Sequence, residues 1–399
     1  MAVRPGRAVV VGGSVAGLLS AGTLLRRGWG VTVRERTTGA LQERGAGVIL
    51  PVGVHEQLVD GGFVGPDTGA VPITRREWFT TGPDPAGRVC YAHPLFGMTN
   101  NWGVLWRSLT ARLPALDHRR GSPVSRVVPG DPPLVESDDG TDRPDLVVGA
   151  DGYRSAVRTS LAPCDTPSYA GYVLWRGTYD AALAPSAAVD LLERGVLASP
   201  VHPGGHAVVY LVPGHDPGTL RMNWAMYGRL PSEVALDDPD AVPFGALDET
   251  FGTELERVLD HVPPLWAEVM RIAPPDGRLV QPIYDHTPST YAGPGVVLAG
   301  DAAAVARPHT GSGVAKAAED AFTLGTVLDS CDDLAAALTA YDAARRTAGA
   351  STVDAGRRLG RGMVEELPDW TSDSVEPWAA AIRDSGPRNY MFDDRERPA

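Results

Sequence analysis

Lysine is all but missing from this chain of 399 residues: Lys316 is the only one, so almost all positive charge is arginine. A GC-rich coding sequence accounts for such a bias without any functional demand. Cysteine is scarce too. Cys90, Cys164 and Cys331 lie far apart and form no C-x-x-C, which excludes a disulfide framework or zinc site, and no metal is expected. They read as small buried side chains in a reducing compartment. Positive charge as a whole is short, with 36 Lys and Arg against 49 Asp and Glu and a net charge of −13. That balance argues against nucleic acid or an anionic membrane as a partner. Long hydrophobic runs are rare. Arg4 and Arg7 before the apolar stretch Ala8 to Leu25 resemble a signal peptide, but Gly12-Gly13 interrupts it and no A-x-A site follows. A cytoplasmic protein is expected. No membrane span, internal repeat or low-complexity tract stands elsewhere.

What is there is ordinary for a soluble enzyme: 43% hydrophobic and 21% charged residues. The length exceeds what one core usually organises, so two closely packed domains are expected. The organising stretch is Val296 to Ala318, VVLAGDAAAVARPHTGSGVAKAA. Its apolar run reads as a short buried strand that delivers the carboxylate of Asp301 after Gly300. The loop Arg307 to Gly313 then feeds a helix from Val314 to Leu328. A small-residue loop at a helix N-terminus offers free N–H groups and a positive dipole end to an anionic ligand.

Its partner lies at the other end of the chain. Ala8 to Val11 reads as a strand, Gly12-Gly13-Ser14-Val15-Ala16-Gly17 as a turn, Leu18 to Arg27 as a helix, and Val31 to Val33 as a second strand ending at Glu35. Strand, glycine turn, helix, strand and acid is the dinucleotide-binding layout. Ser14 replaces the middle glycine, which crowds a pyrophosphate slightly but adds a hydroxyl. A third strand, Asp145 to Gly149, delivers Asp151 in the same manner. Between these elements the spacing predicts a short helix at Pro51 to Leu58, strands at Ile73 to Thr80 and Arg88 to His93, and a helix at Leu105 to Leu113. Strands at Tyr169–Tyr179, His206–Val212 and Leu220–Tyr227 form an antiparallel sheet with aromatic faces. One or two helices lie in Pro243 to Val269 and a long helical stretch in Ala335 to Met363. The tail from Glu366 to Ala399 reads as a surface wrap.

These three elements in this order resemble the single-component FAD-dependent aromatic hydroxylases, the para-hydroxybenzoate hydroxylase-like monooxygenases. The residues that carry the resemblance are VVVGGSVAGLLSAGTLLRRGWGVTVRER, GADGYRSAVR and VVLAGDAAAVARPHTGSGVAKAAEDA. GGSVAG, RGAGVIL, YVLWRG and ARPHT are most similar to the 2,6-dihydroxypyridine hydroxylase branch. The resemblance implies an α/β fold. A Rossmann-like FAD-binding domain (1–72, 101–167 and 286–330) carries an inserted, mostly antiparallel substrate domain (73–100 and 168–285). C-terminal helices and a tail follow (331–399). It implies FAD as cofactor and NADPH or NADH as a transient reductant, since no second dinucleotide fingerprint exists. The partners are a small aromatic substrate and dioxygen, and a homodimer is left open. The implied activity is hydroxylation of a hydroxylated aromatic or N-heteroaromatic ring through a flavin C4a-hydroperoxide.

The resemblance also assigns residues. Gly12, Gly13, Ser14 and Gly17 face the pyrophosphate, Glu35 the adenosine ribose, and Arg107 the pyrophosphate or ribityl chain. Arg36 and Arg44 reach toward the cofactor among the glycines. Asp151 supports FAD and the transient nicotinamide, and Gly300-Asp301 meets a ribityl or ribose hydroxyl. Pro308 to Ala315, with Gly311 and Gly313, line the isoalloxazine, and the Val314 and Ala315 amides lie at its N1/C2 edge. Ala315 replaces an asparagine common in the family. His309 and Pro308 are placed against the reacting ring. On the sheet, Tyr172, Trp175, His206, Tyr210, Asn223 and Trp224 are candidates for the substrate wall, with Tyr91 and His93 behind them. Strand alternation sends about half of each strand elsewhere. Other readings are a tailoring hydroxylase of a larger aromatic natural product, a non-oxygenating flavin oxidoreductase, and a non-catalytic FAD-binding protein. Halogenation is disfavoured, because Lys316 follows the flavin loop on its helix and W-x-W-x-I-P is absent.

Overall fold

The structure is a computed structural model, and it describes residues 2–39, 46–230, 245–247, 249–371 and 375–383. The chain opens with β1 (Arg7–Val11), α1 (Val15–Leu25) and β2 (Gly30–Glu35). β1 is covered on both faces, which is why it reads as an unbroken apolar run. Gly12 starts the turn between β1 and α1. At its φ of +104° a side chain would be strained, and an added Cβ would come within 2.3 Å of the Ala150 carbonyl oxygen.

β3 (Gly47–Leu50) and α2 (Val52–Asp60) follow, then the long strands β4 (Val71–Thr80) and β5 (Arg88–Asn101). Asn101 caps α3 (Trp102–Ala111), its side-chain oxygen accepting from the Gly103 amide at 2.9 Å. β6 (Asp117–Arg120) returns to β2 as a parallel edge strand. A three-stranded meander comes next: β7 (Val124–Val128), β8 (Leu134–Ser137) and β9 (Gly140–Asp142). The sequence reading gave no strands there. After it come β10 (Leu146–Gly149) and the short α4 (Ala156–Leu161).

The second excursion contains β11 (Ser168–Asp180), α5 (Ser186–Glu193), β12 (Val196–His202), β13 (Gly205–Pro213) and β14 (Leu220–Gly228). β15 (Gly245–Ala246), α6 (Glu249–Leu259), α7 (Pro264–Ile272) and β16 (Arg278–Asp285) complete it. The chain returns through β17 (Ala292–Gly293) and β18 (Val296–Leu298) to α8 (Gly313–Ser330) and α9 (Leu334–Gly360). α9 loosens into one π turn at Arg361–Glu365, and α10 (Val375–Arg383) closes the described chain.

Two sheets result. The first has the order β17-β18-β10-β1-β2-β6, parallel except for the β17–β18 pair. Its core joins Val9, Val33, Val147 and Val297 to Leu324 of α8 and Tyr341 of α9. The carboxyl ends of its strands deliver Gly12, Glu35, Ala150 and Ala299 to one edge, where ligands of open α/β sheets bind. The second sheet has nine strands in the order β15-β16-β11-β14-β13-β12-β4-β5-β3.

One face of that sheet packs against α5, α6 and α7. Val173, Trp175, Val209, Met222 and Trp224 meet Leu192, Leu255, Trp266 and Met270 there. The other face carries Tyr172, Leu174, Tyr210 and Tyr227, packed with Leu359, Met363 and Ile382. A buried tryptophan removes roughly 200 Å² from water, so each of these layers is held by several kcal/mol per aromatic.

Two expectations need correction. Gly47–Leu50 falls within the 1–72 segment assigned to the nucleotide domain, yet β3 pairs with β5 in the second sheet. Gly47 is clamped there, its amide donating to Asn223 Oδ1 at 2.6 Å and its carbonyl accepting from Arg176 at 3.3 Å. The tail is also more than a surface wrap. Val375, Ala379 and Ile382 of α10 are buried, and Trp370 and Trp378 pack on Trp78 of β4. Residues 384–399 lie outside the described residues. Among the described residues no helix is long and apolar enough to cross a membrane.

Candidate active site

A cavity of about 610 Å³ runs from the strand ends of the first sheet to the aromatic face of the second. That volume is in the range of cofactor and ligand sites. Gly12 and Ser14 line it, and the Ser14 side chain makes no capping hydrogen bond to α1. Gly13 and Gly17 do not line it. They shape the loop: a Cβ on Gly17 would come within 1.9 Å of the Gly12 carbonyl oxygen, and one on Gly13 within 2.6 Å of His118 Nε2. Glu35 closes the motif. Its carboxylate accepts from the Gly13 amide at 2.8 Å and the Thr37 amide at 2.8 Å, so it is held rigidly at the mouth. Arg36 lines the same end, and Arg44 lies outside the described residues.

Arg107 is a correction. Its guanidinium turns to His215 Nδ1 at 2.8 Å and does not line the cavity. One residue back, Trp106 donates from Nε1 to the Gly13 carbonyl at 2.8 Å, and Trp102, one turn earlier, lines the cavity. Successive helical residues point about 100° apart, so Trp106 and Arg107 cannot both face the loop.

Asp151 lines the cavity and also caps α4, accepting from the Ala156 amide at 2.7 Å and from the Ser155 hydroxyl. Burial raises its pKa, against those hydrogen bonds. Asp301 follows Gly300, which sits at φ +59° with no room for a side chain beside Ala16. The Asp301 side chain is 55% exposed, but into the cavity rather than bulk water. Desolvation by the surrounding protein accordingly raises its pKa, and the Lys316 ammonium opposes the shift.

Beyond it, a single 3₁₀ turn at Pro308–Thr310 ends at Gly311 in the left-handed region, at φ +63°. Pro308, His309, Gly311, Gly313 and Val314 all line the cavity. Ala315 does not. It is fully buried against the protein, and the wall is continued by Lys316 and Ala317.

The sheet end is built from side chains. His309 Nε2 is 2.8 Å from the Tyr172 hydroxyl, and its ring stacks on Tyr227 with centroids 4.0 Å apart. Its Nδ1 is buried with no hydrogen-bond partner among the described residues. Burial pushes both His309 and His206 well below the usual imidazole range, aided for His309 by Arg307 and Arg76 and for His206 by Arg76 and His309. Burial raises the phenols of Tyr172 and Tyr227, and pushes Tyr210 up to about 12. Behind Tyr172, Arg307 pairs with Asp285 at 2.8 Å and Glu365 at 3.0 Å, which fixes the loop that carries His309.

His206 and Tyr210 line the cavity, whereas Tyr172 reaches it through His309. Asn223 is spent on Gly47 and does not line it. Trp175 and Trp224 are corrections. They alternate onto the far face, where Trp175 donates to the Phe251 carbonyl and Trp224 is fully buried. Sequence reasoning missed Arg76, Arg176, Tyr227 and Lys316, all of which line the cavity. Arg76 stands between Arg75 and Glu77 in β4, so no local signal set it apart. It is 1% exposed, lies over the Trp78 ring at 4.0 Å and donates to Ser199 at 2.7 Å. Burial brings its pKa down to about 9.

Comparison with known proteins decides the family. The chain is 32% identical over 341 residues to 3-amino-4-hydroxybenzoate 2-monooxygenase of Streptomyces cremeus, covering 81% of this chain and 79% of that protein. It belongs to the FAD-dependent monooxygenases. It is 29% identical to the 2,6-dihydroxypyridine 3-monooxygenase of Paenarthrobacter nicotinovorans, over 84% of this chain and 86% of the relative. A family model described as "FAD binding domain-like" matches residues 169–239.

Among solved structures, 2,6-dihydroxypyridine-3-hydroxylase from Arthrobacter nicotinovorans superposes with a TM-score of 0.81 at 23% identity, covering 92% of this chain and 94% of that one. Klebsiella pneumoniae HpxO complexed with FAD and uric acid gives 0.74 at 24% identity, with coverage of 96% and 97%. Both likenesses carry the α/β fold. Membership of this monooxygenase family sets aside the non-oxygenating and non-catalytic readings.

The residues present fit FAD. Gly12 and Ser14 bring the glycine turn to the cavity in a conformation that leaves no room for side chains on Gly12 or Gly17, Glu35 and Asp301 supply acceptors for hydroxyls, and the N-terminus of α8 opens on the same cavity.

Proposed function

We propose that this monooxygenase hydroxylates a small hydroxylated aromatic or N-heteroaromatic ring, with NADPH or NADH as a transient reductant. The observation that carries the reading is the His309–Tyr172–Tyr227 group at the sheet end of the FAD cavity. When bound, FAD supplies the redox chemistry: it takes two electrons from the nicotinamide and hands them to dioxygen. The overall balance converts a ring C–H into C–OH, oxidises NAD(P)H to NAD(P)+, takes up one proton and releases the second oxygen atom as water.

The chain's own part is orientation, proton handling and exclusion of water. The neutral His309 imidazole forms part of the wall against which a ring hydroxyl is oriented. Its Nε2 is held by the Tyr172 hydroxyl at 2.8 Å. Tyr227 keeps the imidazole plane fixed, and the Arg76 guanidinium in the same wall favours the phenolate. At the other side of the ring, the amides of Gly313 and Val314 present the positive end of α8 to negative charge on FAD. Asp151 and the cavity mouth serve a nicotinamide that binds and leaves. A cytoplasmic location would supply the NAD(P)H that this reading needs.

The test is NAD(P)H oxidation by the FAD-loaded protein in air, across phenols, hydroxypyridines and polycyclic phenols, with products weighed for one added oxygen atom. Stimulation by one ring class with that oxygen incorporated supports the reading and names the class. Polycyclic phenols as the preferred class would indicate tailoring of a larger natural product. No reduction with any compound contradicts it.

A further inference from the structure

One charged side chain in the cavity wall has no part in the reaction above. Lys316 sits in the second turn of α8, 1% exposed, and lines the cavity. Its ammonium has no hydrogen-bond partner among the described residues. Two carboxylates flank it just beyond hydrogen-bonding reach, Asp301 at 3.9 Å and Asp320 at 3.8 Å. Asp320 is committed elsewhere. It accepts from the Gly300 amide at 2.8 Å and from Arg345 Nε at 2.6 Å, and Arg345 also pairs with Glu319 at 3.0 Å. Charges therefore alternate from the cavity into the helix layer: Asp301, Lys316, Asp320, Arg345, Glu319. Asp301 is the acid of this series that faces the cavity.

A buried, loosely paired ammonium costs several kcal/mol unless its charge is used. We infer that Lys316 is a positioning residue for FAD: its ammonium holds Asp301 ionised, so that this carboxylate accepts hydrogen bonds from hydroxyls of the cofactor's ribityl or ribose chain. Every charged group facing Asp301 enters the balance. Desolvation and Asp320 favour its protonation, whereas Lys316 and Arg158 oppose it, and Arg158 also donates to the Asp301 carbonyl at 3.4 Å. Without the ammonium, Asp301 and Asp320 would meet as like charges in a poorly hydrated space, where one must protonate. A protonated Asp301 is a weaker acceptor for a hydroxyl. The sign follows: FAD affinity falls as pH drops through the Asp301 pKa, and loss of Lys316 moves that fall to higher pH.

The inference rests on FAD occupying this cavity. The experiment is a fluorescence titration of the apoprotein with FAD from pH 5.5 to 8.5, for wild type, Lys316→Met, Asp301→Asn and the double variant. Lys316→Met is expected to move the acid limb of FAD binding up by about one pH unit, to weaken binding by up to about tenfold on the acid side of that limb, and to add nothing on Asp301→Asn. An equal loss at every pH that adds to Asp301→Asn would make Lys316 a packing residue and overturn the inference. Should Lys316→Met not fold, the wild type still answers. With one lysine in the chain, ε-13C-lysine labelling reports Lys316 alone. Its signal is expected to move on FAD binding and with the acid limb, and to lose the pH-linked movement in Asp301→Asn. A signal indifferent to both overturns the inference. Failure of FAD to bind the wild type would instead contradict the family's cofactor in this cavity.

Discussion

The two ends of the cavity are built by opposite means. At the FAD end the surface is backbone: glycines without room for a Cβ, amides, and carboxylates pinned by other amides. At the sheet end it is bulky side chains, with two buried neutral imidazoles, three raised phenols and an arginine laid over a tryptophan. A backbone surface tolerates little substitution, and its titratable groups, Asp151 and Asp301, act there as acceptors. A side-chain surface can handle protons, and each of its groups is tuned by what buries it.

The first way to break this contrast has the largest expected effect. Gly12→Ala places a methyl 2.3 Å from the Ala150 carbonyl at a φ that disfavours it, so FAD affinity should fall at least about 100-fold. Titration of the apoprotein with FAD reads this, and wild-type affinity would mean the loop does not cradle the cofactor. At the other end, Tyr172→Phe removes the hydroxyl on His309 Nε2 and should lower kcat about tenfold, leaving FAD affinity unchanged.

Acid is a probe of the sheet end. Burial holds His202 at about 4 and His206 and His309 well below 6.5, so the unfolded chain binds more protons than the folded one as pH falls below 6.5. Stability is therefore fully present above pH 6.5 and is lost below it, by about 3 kcal/mol from His202 alone near pH 4. Thermal melts between pH 7 and 4 should show a falling Tm, and a flat profile would contradict the buried neutral imidazoles.

The corrected residues sharpen the contrast with smaller effects. Trp224→Phe on the far face should lower Tm by a few degrees with KM for the ring unchanged. Arg107→Ala should change FAD affinity by less than about 0.5 kcal/mol, because its guanidinium turns to His215.

The same contrast explains what was legible in the sequence. Gly12, Glu35, Asp301 and Gly313 stood out because a strand–turn–helix writes its ligand surface into local spacing. The α/β class and most helices followed from the same periodicities. The sheet face was not legible, since alternation tells which residues share a face but not which face meets the cavity. His206 and Trp175 therefore carried equal weight as candidates, and only the pairing of β14 with both β11 and β13 separates them. Gly47–Leu50 was misplaced for a related reason, because its partner β5 lies about 50 residues away and no local signal names it. Lys316 was weighed only as a halogenase lysine, and its place in the cavity wall was not legible. A long side chain in a helix points back toward the N-terminus, and that returns its ammonium to Asp301.

The most direct measurement is the coupling of NAD(P)H oxidation to ring hydroxylation in His309→Asn, once a substrate class is in hand. The account predicts unchanged FAD affinity, continued NAD(P)H oxidation, and about 100-fold less hydroxylated product, with the electrons appearing as hydrogen peroxide. Hydroxylation at the wild-type rate and yield would contradict it, and would move the handling of the ring away from the His309 wall.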